Sequence, residues 1–284
     1  MDTGRMAFRS QTRRARGDLG LPFFIPAEEI SAMRNKPMIA VWFSSGAASA
    51  VAAFKTLEQY SDSHQIRIVN NPVLEEDSDN LRFLADVGSW LNVEIETASN
   101  PKYPSNSAVD VWAKRKYMAG VSGAPCTTEL KKNARYIWEK ANNPDYHVLG
   151  FTFEERKRHD RFVLSERSNV LPVLIDQKIT KADCYQILTD NGIKLPRVYA
   201  QGYPNANCIG CVKATSPTYW NHVRARHKKV FDQRAEQSRE IGAKLVRYKG
   251  QRIFLDELPT NAKGRPLKNM DVECGIFCEE RFNS

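Results

Sequence analysis

Six apolar residues, Met38-Ile39-Ala40-Val41-Trp42-Phe43, run directly into the small-residue turn Ser44-Ser45-Gly46-Ala47-Ala48-Ser49. An alanine-rich stretch with apolar residues at helical spacing follows the turn. A continuous apolar run that ends in a turn predicts a buried parallel strand. Small side chains let backbone N–H groups converge on an anion at the N-terminus of the next helix. The alternative is a tight turn built of small residues for packing, since neither Gly-Lys-Ser/Thr nor G-x-G-x-x-G occurs here.

Strand-like and helix-like segments alternate after this turn. Strands are predicted at residues 66–70, 93–96, 146–149 and 171–175, and helices at 79–91, 109–118, 129–141 and 180–192. This alternation predicts an α/β fold, a Rossmann-like parallel sheet flanked by helices, with a small cysteine-containing C-terminal segment. Residues 1–36 are predicted to be a basic flexible arm, 37–205 the α/β domain, and 206–284 a helical segment with a cysteine metal or redox site.

The chain of 284 residues carries 42 Lys and Arg against 33 Asp and Glu, a net charge of +9. This balance suits an anionic ligand or a nucleic acid, and it equally suits solubility alone. No apolar run approaches the roughly 20 residues that a membrane span needs, and the arginine-rich N-terminus has no apolar core of a secretory signal. We therefore expect a cytoplasmic protein without a membrane partner.

A second candidate anion site is the basic stretch from Gly150 to Arg161, which follows a predicted strand. Loops beyond the carboxyl ends of parallel strands form the ligand crevice of such sheets. Arg158 and Arg161 are three residues apart, so one helical turn directs both at the same anion. A solvated charged turn is the alternative, and His159 is expected to be exposed.

Five stretches together resemble one family. Phe43 to Ser49 is similar to the Ser-Gly-Gly-x-Asp-Ser pyrophosphate loop of the adenine-nucleotide α-hydrolase (PP-loop) superfamily, and the nearest branch is the phosphoadenosine phosphosulfate (PAPS) reductase family. Four further stretches follow in that family's order: residues 126–132, 150–161, 180–192 and 208–211. Two departures concern the loop, where Ser45 replaces the first glycine and Ala48 replaces the aspartate.

The resemblance implies roles for individual residues. Phosphate or nucleotide contacts are implied for Phe43, Ser44, Ser45, Gly46, Ala47, Ala48, Ser49, Asn70, Asn71, Gly150, Arg158 and Arg161. Catalytic roles are implied for Lys131, Arg158 and Cys274. Without the loop aspartate, metal-assisted cleavage of ATP is in doubt, whereas the hydroxyl and amide donors remain.

The function implied is an enzyme that acts on ATP or an adenylyl sulfonucleotide, with Mg²⁺ as the associated cation. The reaction is either attack at the α-phosphate with release of pyrophosphate or reduction of the sulfonucleotide, in sulfur metabolism or sulfur transfer. One alternative is sulfur modification of a nucleic acid, of the tRNA thiolation or DNA phosphorothioation type. Another is nucleotide binding without turnover. The implied partners are an adenine nucleotide, a nucleic acid, and a thiol reductant or sulfur-donor protein.

Four cysteines form two close pairs, Cys208-x2-Cys211 and Cys274-x3-Cys278. Two residues between thiols let both reach one metal ion. In one hypothesis the pairs combine in a four-cysteine site for zinc or an iron–sulfur cluster. In the other, implied by the resemblance, Cys126, Cys208 and Cys211 hold an iron–sulfur cluster and Thr127 stands where the family has a further cysteine. Residues 273–276 also resemble the tail that supplies the nucleophilic cysteine of sulfonucleotide reductases, so Cys274 is a ligand or a nucleophile.

The segment from Pro217 onward predicts a long charged helix, followed by a hairpin within residues 244–258. Residues 219–229 combine aromatic and basic side chains in a pattern found in nucleic-acid binders. Acidic residues follow at once, so a solvated helix is the alternative.

Overall fold

The structure, a computed structural model, describes residues 36–120 and 123–269. The predicted basic arm (residues 1–36) lies almost wholly outside the described residues, and so do Cys274 and Cys278. A five-stranded sheet forms the centre of the fold. Its strands are Met38–Phe43 (β1), Gln65–Asn70 (β2), Ile95–Thr97 (β3), Tyr146–Val148 (β4) and Val170–Leu171 (β5). All are parallel, in the spatial order β3-β2-β1-β4-β5.

The helices that follow these strands cover the sheet. In the first half of the chain they are Ala47–Tyr60 (α1), Asp79–Leu91 (α2), Ala108–Arg115 (α3), Pro125–Thr127 (α4), a π-helix at Thr128–Asn133, and Ala134–Asn142 (α5). In the second half they are Arg156–Ser165 (α6), Val173–Asp176 (α7), Lys181–Asp190 (α8), Arg197–Ala200 (α9), Pro217–Arg226 (α10) and Lys228–Ile241 (α11). Two short 3₁₀ turns lie at Phe153–Glu155 and Leu267–Asn269. A two-stranded antiparallel hairpin joins Val246–Tyr248 (β6) to Gln251–Ile253 (β7).

Strand β1 pairs with β2 and β4 along its two edges and is buried on both faces by apolar clusters. Ile39, Val41 and Phe43 belong to the apolar cluster that contains α1. Ala40 and Trp42 point to the opposite cluster, which contains Trp138 of α5. A strand covered on both faces must be apolar at every position, which explains the uninterrupted run in the sequence. The predicted α/β fold with a parallel Rossmann-like sheet is confirmed.

The order of the strands sets the place where a ligand can bind. The chain goes from β1 to β2 and β3 on one side, and then returns to β4 and β5 on the other. Parallel sheets of this kind open a crevice at the carboxyl ends of the strands where the direction reverses. Here that crevice lies between the ends of β1 and β4. The predicted anion loop follows β1, and Gly150 follows β4 by two residues.

Several predicted elements differ from the structure. The predicted strand at 171–175 is wrong, because β5 ends at Leu171 and Val173–Asp176 is a helical turn. Val173, Leu174 and Ile175 are all buried, and an apolar run of this length fits a buried helix as well as a strand. The helix predicted at 129–141 begins as the π-helix, and the long charged helix is divided at His227.

The described part of the C-terminal segment shares an apolar cluster with the α/β domain. This cluster combines Val111, Trp112 and Leu130 with Trp220, Phe231 and Leu255. The predicted boundary at 205/206 stays a prediction. Within the described ranges, no helix has the length and the apolar character to cross a membrane.

Candidate functional site: an anion loop beside a basic cavity

Hydrogen bonds within the loop after β1 fix its shape. The Ser49 hydroxyl donates to the carbonyl of Gly46 at 2.9 Å and accepts from the backbone N–H of Ser44 at 3.1 Å. The hydroxyls of Ser44 and Ser49 are 3.2 Å apart. Ser49 is buried, whereas Ser44 is exposed at the rim. Ser49 thus braces the loop from inside, and the N-cap residue of α1, Gly46, has no side chain with which to cap the helix. Backbone N–H groups of a first helical turn that the N-cap residue does not satisfy present positive potential to an anion.

Ser45 adopts a left-handed backbone conformation, with φ of 55°. Glycine takes this conformation without steric cost, which is a physical reason for the glycine that the resembled family has here. Ser45 is buried, and its hydroxyl accepts a hydrogen bond from the Asn70 amide at 3.3 Å. The same amide donates to the carbonyl of Phe43 at 2.8 Å. Asn70 therefore holds the end of β1 and the start of the loop, which is a structural contact.

Gly150 touches the backbone of the loop. A Cβ atom at this position would lie 2.7 Å from the nitrogen of Ser49 and 2.9 Å from the carbonyl carbon of Ala48. Only glycine permits so close an approach of two backbone segments. The segment after β4 is therefore packed directly against the first turn of α1.

Tyr199 of α9 also contacts the loop, although it lies far along the chain. Its hydroxyl accepts a hydrogen bond from the N–H of Ala47 at 3.2 Å. Burial raises the pKa of the Tyr199 hydroxyl well above its usual value, so the group stays neutral. A neutral phenol that accepts from a backbone amide still has its own proton to donate. Tyr199 thus adds a hydroxyl donor to the ring of groups around the loop.

A cavity of 370 Å³ opens at this edge of the sheet, within the size range of small-molecule sites. The loop residues Phe43, Ser44, Gly46, Ala47, Ala48 and Ser49 line it, together with Asn71, Gly150 and Tyr199. Among the described residues, five cationic side chains line the cavity: Lys131, Arg135, Arg158, Lys181 and Lys268. Three carboxylates also line it: Glu76, Glu154 and Glu155. The excess of positive charge suits an anion with several negative charges.

Lys131 is one of two buried cations in this lining, the other being Arg135. The Lys131 ammonium group donates to Glu76 at 3.0 Å and to the carbonyl of Asn71 at 3.3 Å. The side chains of Lys131 and Glu76 are 9% and 10% exposed, so the pair is largely shielded from water. Lys131 lies in the π-helix, and Arg135 lies in the first turn of α5. The change from π-helix to α-helix brings both cations to one cavity wall, and π-turns are frequent at functional sites.

Lys181, at the start of α8, holds the opposite wall. Its ammonium group donates to the carbonyl of Pro204 at 2.7 Å and to the side-chain oxygen of Asn205 at 2.8 Å. Residues 204–207 line the cavity, and the chain then passes directly to Cys208. The cysteine turn therefore begins where the cavity wall ends.

The structure separates the two arginines of the basic stretch. Arg158 lines the cavity, pairs with Glu155 and lies over the ring of Phe151. Arg161 is exposed, is absent from the described cavity lining, and its Nε donates to the carbonyl of Lys157. Its predicted phosphate contact stays a prediction. His159 is buried against Phe151, so the expectation that it is exposed is wrong.

The first cysteine pair sits in a tight turn. Gly210 has φ of 69°, and the N–H of Cys211 donates to the Tyr219 hydroxyl at 2.8 Å. That hydroxyl in turn donates to the carbonyl of Cys208 at 3.4 Å. Cys211 is buried and Cys208 is half-buried.

Cys184 of α8 lies apart from this turn. Burial raises the pKa of the Cys184 thiol to about 12, as expected for a core cysteine.

Zinc or an iron–sulfur cluster needs three or four protein ligands. Within residues 36–120 and 123–269, no group of three or more His, Cys, Asp or Glu side chains is placed to hold a metal ion. The four-cysteine hypothesis depends on Cys274 and Cys278, which lie outside the described residues, so it stays a prediction. Cluster ligation by Cys126, Cys208 and Cys211 also stays a prediction, since these described residues do not by themselves form a group placed to hold a metal.

Comparison with known proteins gives similarity in structure. No protein-family model matches the sequence, and no curated protein matches it. A solved structure of phosphoadenylyl-sulfate (PAPS) reductase from Candida auris, in complex with phosphate, is 11% identical. The match covers 63% of this chain and 85% of that chain, with a TM-score of 0.43. The U34-tRNA thiolase NcsA from Methanococcus maripaludis, with its 4Fe-4S cluster, is also 11% identical. That match covers 75% of this chain and 74% of that chain, with a TM-score of 0.39.

The parallel sheet carries its small-residue loop after β1 and Gly150 after β4, in the order that the sequence motifs predict. Membership of the PAPS reductase-like family stays a prediction, because neither match reaches a TM-score of 0.5.

Sequence reasoning missed several residues of the cavity, among them Arg135, Lys181, Lys268 and Tyr199. Lys181 follows the N-cap Thr180 and reads as an ordinary first-turn residue of a helix. Tyr199 lies in a four-residue helix without periodicity. A signal for Lys181 was present, because residues 180–192 belong to the stretches that resemble the family.

Proposed function

We propose that this chain is a PP-loop enzyme that binds the phosphate groups of an adenine nucleotide in the cavity between the ends of β1 and β4. The substrate is ATP or an adenylyl sulfonucleotide, and the reaction belongs to sulfur metabolism or sulfur transfer. The observation that supports this most directly is the contact of Gly150 with the backbone of the loop, beside five cationic side chains.

The loop offers three kinds of donor to a phosphate group. Backbone N–H groups in the first turn of α1, which the N-cap residue Gly46 does not cap, are the first kind, and the exposed hydroxyl of Ser44 is the second. The hydroxyl of Tyr199 is the third. Such donors are fixed before the ligand arrives, so little reorganisation is needed when charge develops on phosphate oxygens. Binding of phosphates is therefore the step for which the loop is built.

The cations around the loop provide the charge that phosphoryl chemistry requires. Arg158 has a planar guanidinium group, which suits bidentate contact with phosphate oxygens. Lys131 is held by Glu76 and Asn71, so it acts as a fixed charge rather than a mobile one. Both side chains would stabilise the negative charge on a phosphate or sulfate group under attack.

Ala48 bears on whether the protein turns over its nucleotide or only binds it. It lines the cavity where the resembled family has an aspartate, and its methyl group cannot hold a cation. Glu76, Glu154 and Glu155 are the carboxylates that the described lining offers instead. If Mg²⁺ assists the reaction, these oxygens are the ligands of suitable chemistry, since Mg²⁺ prefers carboxylates and phosphate oxygens.

The test is a calorimetric titration of the full-length protein with ATP, an adenylyl sulfonucleotide and inorganic pyrophosphate. Arg158→Gln should weaken the binding of each phosphate ligand by about tenfold or more, because a charged hydrogen bond contributes roughly 1.5–3 kcal/mol. Arg156→Gln is the matched control, with the same change of charge at an exposed residue of the same helix outside the cavity lining, and should change affinity less than about twofold. No binding of any of the three ligands would refute the proposal.

Turnover is measured in a second assay with the ligand that binds. Release of pyrophosphate from ATP supports attack at the α-phosphate, whereas reduction of the sulfonucleotide by a dithiol supports reductase activity. Tight binding with neither product would favour the alternative of a nucleotide-binding protein without turnover.

A further inference from the structure

A basic hairpin projects from the C-terminal part of the described chain. It comprises residues 244–253, in which β6 and β7 are joined by the two-residue turn Lys249-Gly250. Both turn residues have positive φ, 47° and 82°. This is the geometry of the tight turn whose twist matches that of paired strands. The hairpin is thus a defined ribbon rather than an irregular loop.

The charge on this ribbon has one sign only. It carries Lys244, Arg247, Lys249 and Arg252, and no Asp or Glu occurs from residue 243 to residue 253. All four cationic side chains belong to exposed residues. Arg247 and Arg252 lie directly opposite each other in the antiparallel pair. Like charges in this position destabilise a hairpin, so folding alone gives no reason for the arrangement.

Carboxylates do not relieve this repulsion in the described part of the chain. None of the four cations forms a salt bridge there, whereas Arg82, Arg197 and Arg239 all do. Asp256 and Glu257, the nearest acidic residues that follow, both pair with Arg239. Arg252 donates to the carbonyl of Leu245 at 3.0 Å, which orients its guanidinium group without neutralising it.

The opposite face of the ribbon is anchored. Val246 is fully buried and belongs to the cluster that contains Trp220 of α10. The N–H of Arg247 donates to the carbonyl of Thr215 at 2.9 Å. One face is therefore fixed to the core, and the other presents the cations to solvent. The cationic face is therefore the one that can contact a partner.

We propose that the basic hairpin is a docking surface for the phosphate backbone of a nucleic-acid duplex. A duplex carries one negative charge per about 1.7 Å of its axis. Phosphates spaced this closely can neutralise Arg247 and Arg252 at the same time, whereas a single carboxylate carries only one negative charge. Because backbone contacts carry no sequence information, the binding is independent of base sequence. This inference is separate from the nucleotide site and does not depend on it.

The experiment measures fluorescence anisotropy of labelled 20-base-pair DNA and RNA duplexes with the full-length protein, from 50 to 200 mM NaCl. In Arg247→Gln/Arg252→Gln the slope of log affinity against log salt should fall by about 2, since each lost phosphate contact removes roughly 0.9. Affinity at 100 mM should fall by about tenfold or more. The thermal midpoint should stay unchanged or rise, because a repulsive pair has been removed.

Lys140→Gln/Lys194→Gln is the matched control, because it removes two exposed cations from other surfaces and gives the same net charge. It should change affinity less than about twofold. Equal losses in both double variants would overturn the proposal, since net charge alone would then explain binding. It would also be overturned if wild-type protein binds neither duplex at 50 mM NaCl. Hairpin-dependent binding of polyglutamate or of phosphatidylserine vesicles as tight as that of the duplexes would assign another partner.

Discussion

Replacement of Gly150 by alanine is the sharpest test of the loop geometry. The added Cβ would lie 2.7 Å from the nitrogen of Ser49 and 2.9 Å from both Ala48 C and Ser49 Cα. Relaxed contacts between heavy atoms lie at about 3.5–4.0 Å, so the two segments must separate by roughly 0.6–1.3 Å. Insertion of one methyl group into so tight a contact costs about 1–3 kcal/mol.

The backbone atoms that move should be those of the loop after β1 rather than those of the sheet. Strand β4, two residues before Gly150, is paired on both sides, with β1 and β5. The loop is held by the Ser49, Asn70 and Tyr199 contacts alone among the described residues. A shift of this size misplaces backbone donors, and misplacement by about 1 Å can cost a factor of roughly 100 in a preorganised site. We therefore expect ATP affinity to fall about 10- to 100-fold.

Gly46→Ala is the control within the same loop. Gly46 has φ of −108°, which any residue adopts, and its Cβ would meet the Tyr199 hydroxyl at an acceptable 3.4 Å. Urea unfolding followed by tryptophan fluorescence should show a loss below about 1 kcal/mol for Gly46→Ala and about 1–3 kcal/mol for Gly150→Ala. Calorimetry gives the ATP affinities. If Gly150→Ala unfolds and binds ATP as Gly46→Ala does, the close approach of the two backbones is not a feature of the protein.

Three further predictions concern single side chains. In urea unfolding, the free energy of unfolding of Ser45→Gly should stay within about 1 kcal/mol of the wild-type value. That of Ser45→Val should fall by about 2 kcal/mol, because a β-branched residue tolerates a left-handed backbone poorly. Equal stabilities of the two variants would contradict backbone strain at Ser45. Tyr199→Phe should weaken pyrophosphate binding about fivefold in calorimetry, through loss of one hydroxyl donor, and an unchanged affinity would remove Tyr199 from the site. Burial, with the charges of Arg167 and Arg135, lowers the pKa of His147 to about 4. The contribution of neutral His147 to stability is fully present above pH 6.5 and is lost as pH falls to 4, about 3 kcal/mol in all. The free energy of unfolding of His147→Phe should lack this part of the pH dependence. Identical pH profiles for the variant and the wild type would refute this prediction.

The central part of the fold followed from the sequence. The apolar run of β1 and the small residues after it predict a strand, a loop and a helix, because a strand buried on both faces allows no polar position. Gly150 and Arg158 were also predicted as site residues, and both line the cavity. Their places after β4 are set by the sheet, which the alternation of strands and helices already implied.

Other parts of the site did not follow from the sequence, for reasons that are physical. Tyr199 reaches the loop through tertiary packing, and one tyrosine in a short helix has no periodic signal. Asn70 was expected to contact the nucleotide, and that contact stays a prediction; its amide donates to the Phe43 carbonyl and the Ser45 hydroxyl, which the sequence does not show. Asn70 and Asn71, at the end of β2, look alike in sequence, and the register of β1 against β2 places Asn70 beside Phe43.

The hydrogen bond between Ala47 and Tyr199 has a consequence for the order of folding. It joins residues separated by 152 positions. Contacts of such long range form late, because the chain between them must be ordered first. The loop therefore acquires its final shape only after α8 and α9 have docked. During synthesis, residues 36–150 can pair β1, β2 and β4 while the loop still lacks one of its three supports. The anion site is therefore complete only in the fully folded domain, and the binding of an anion reports the last stage of folding.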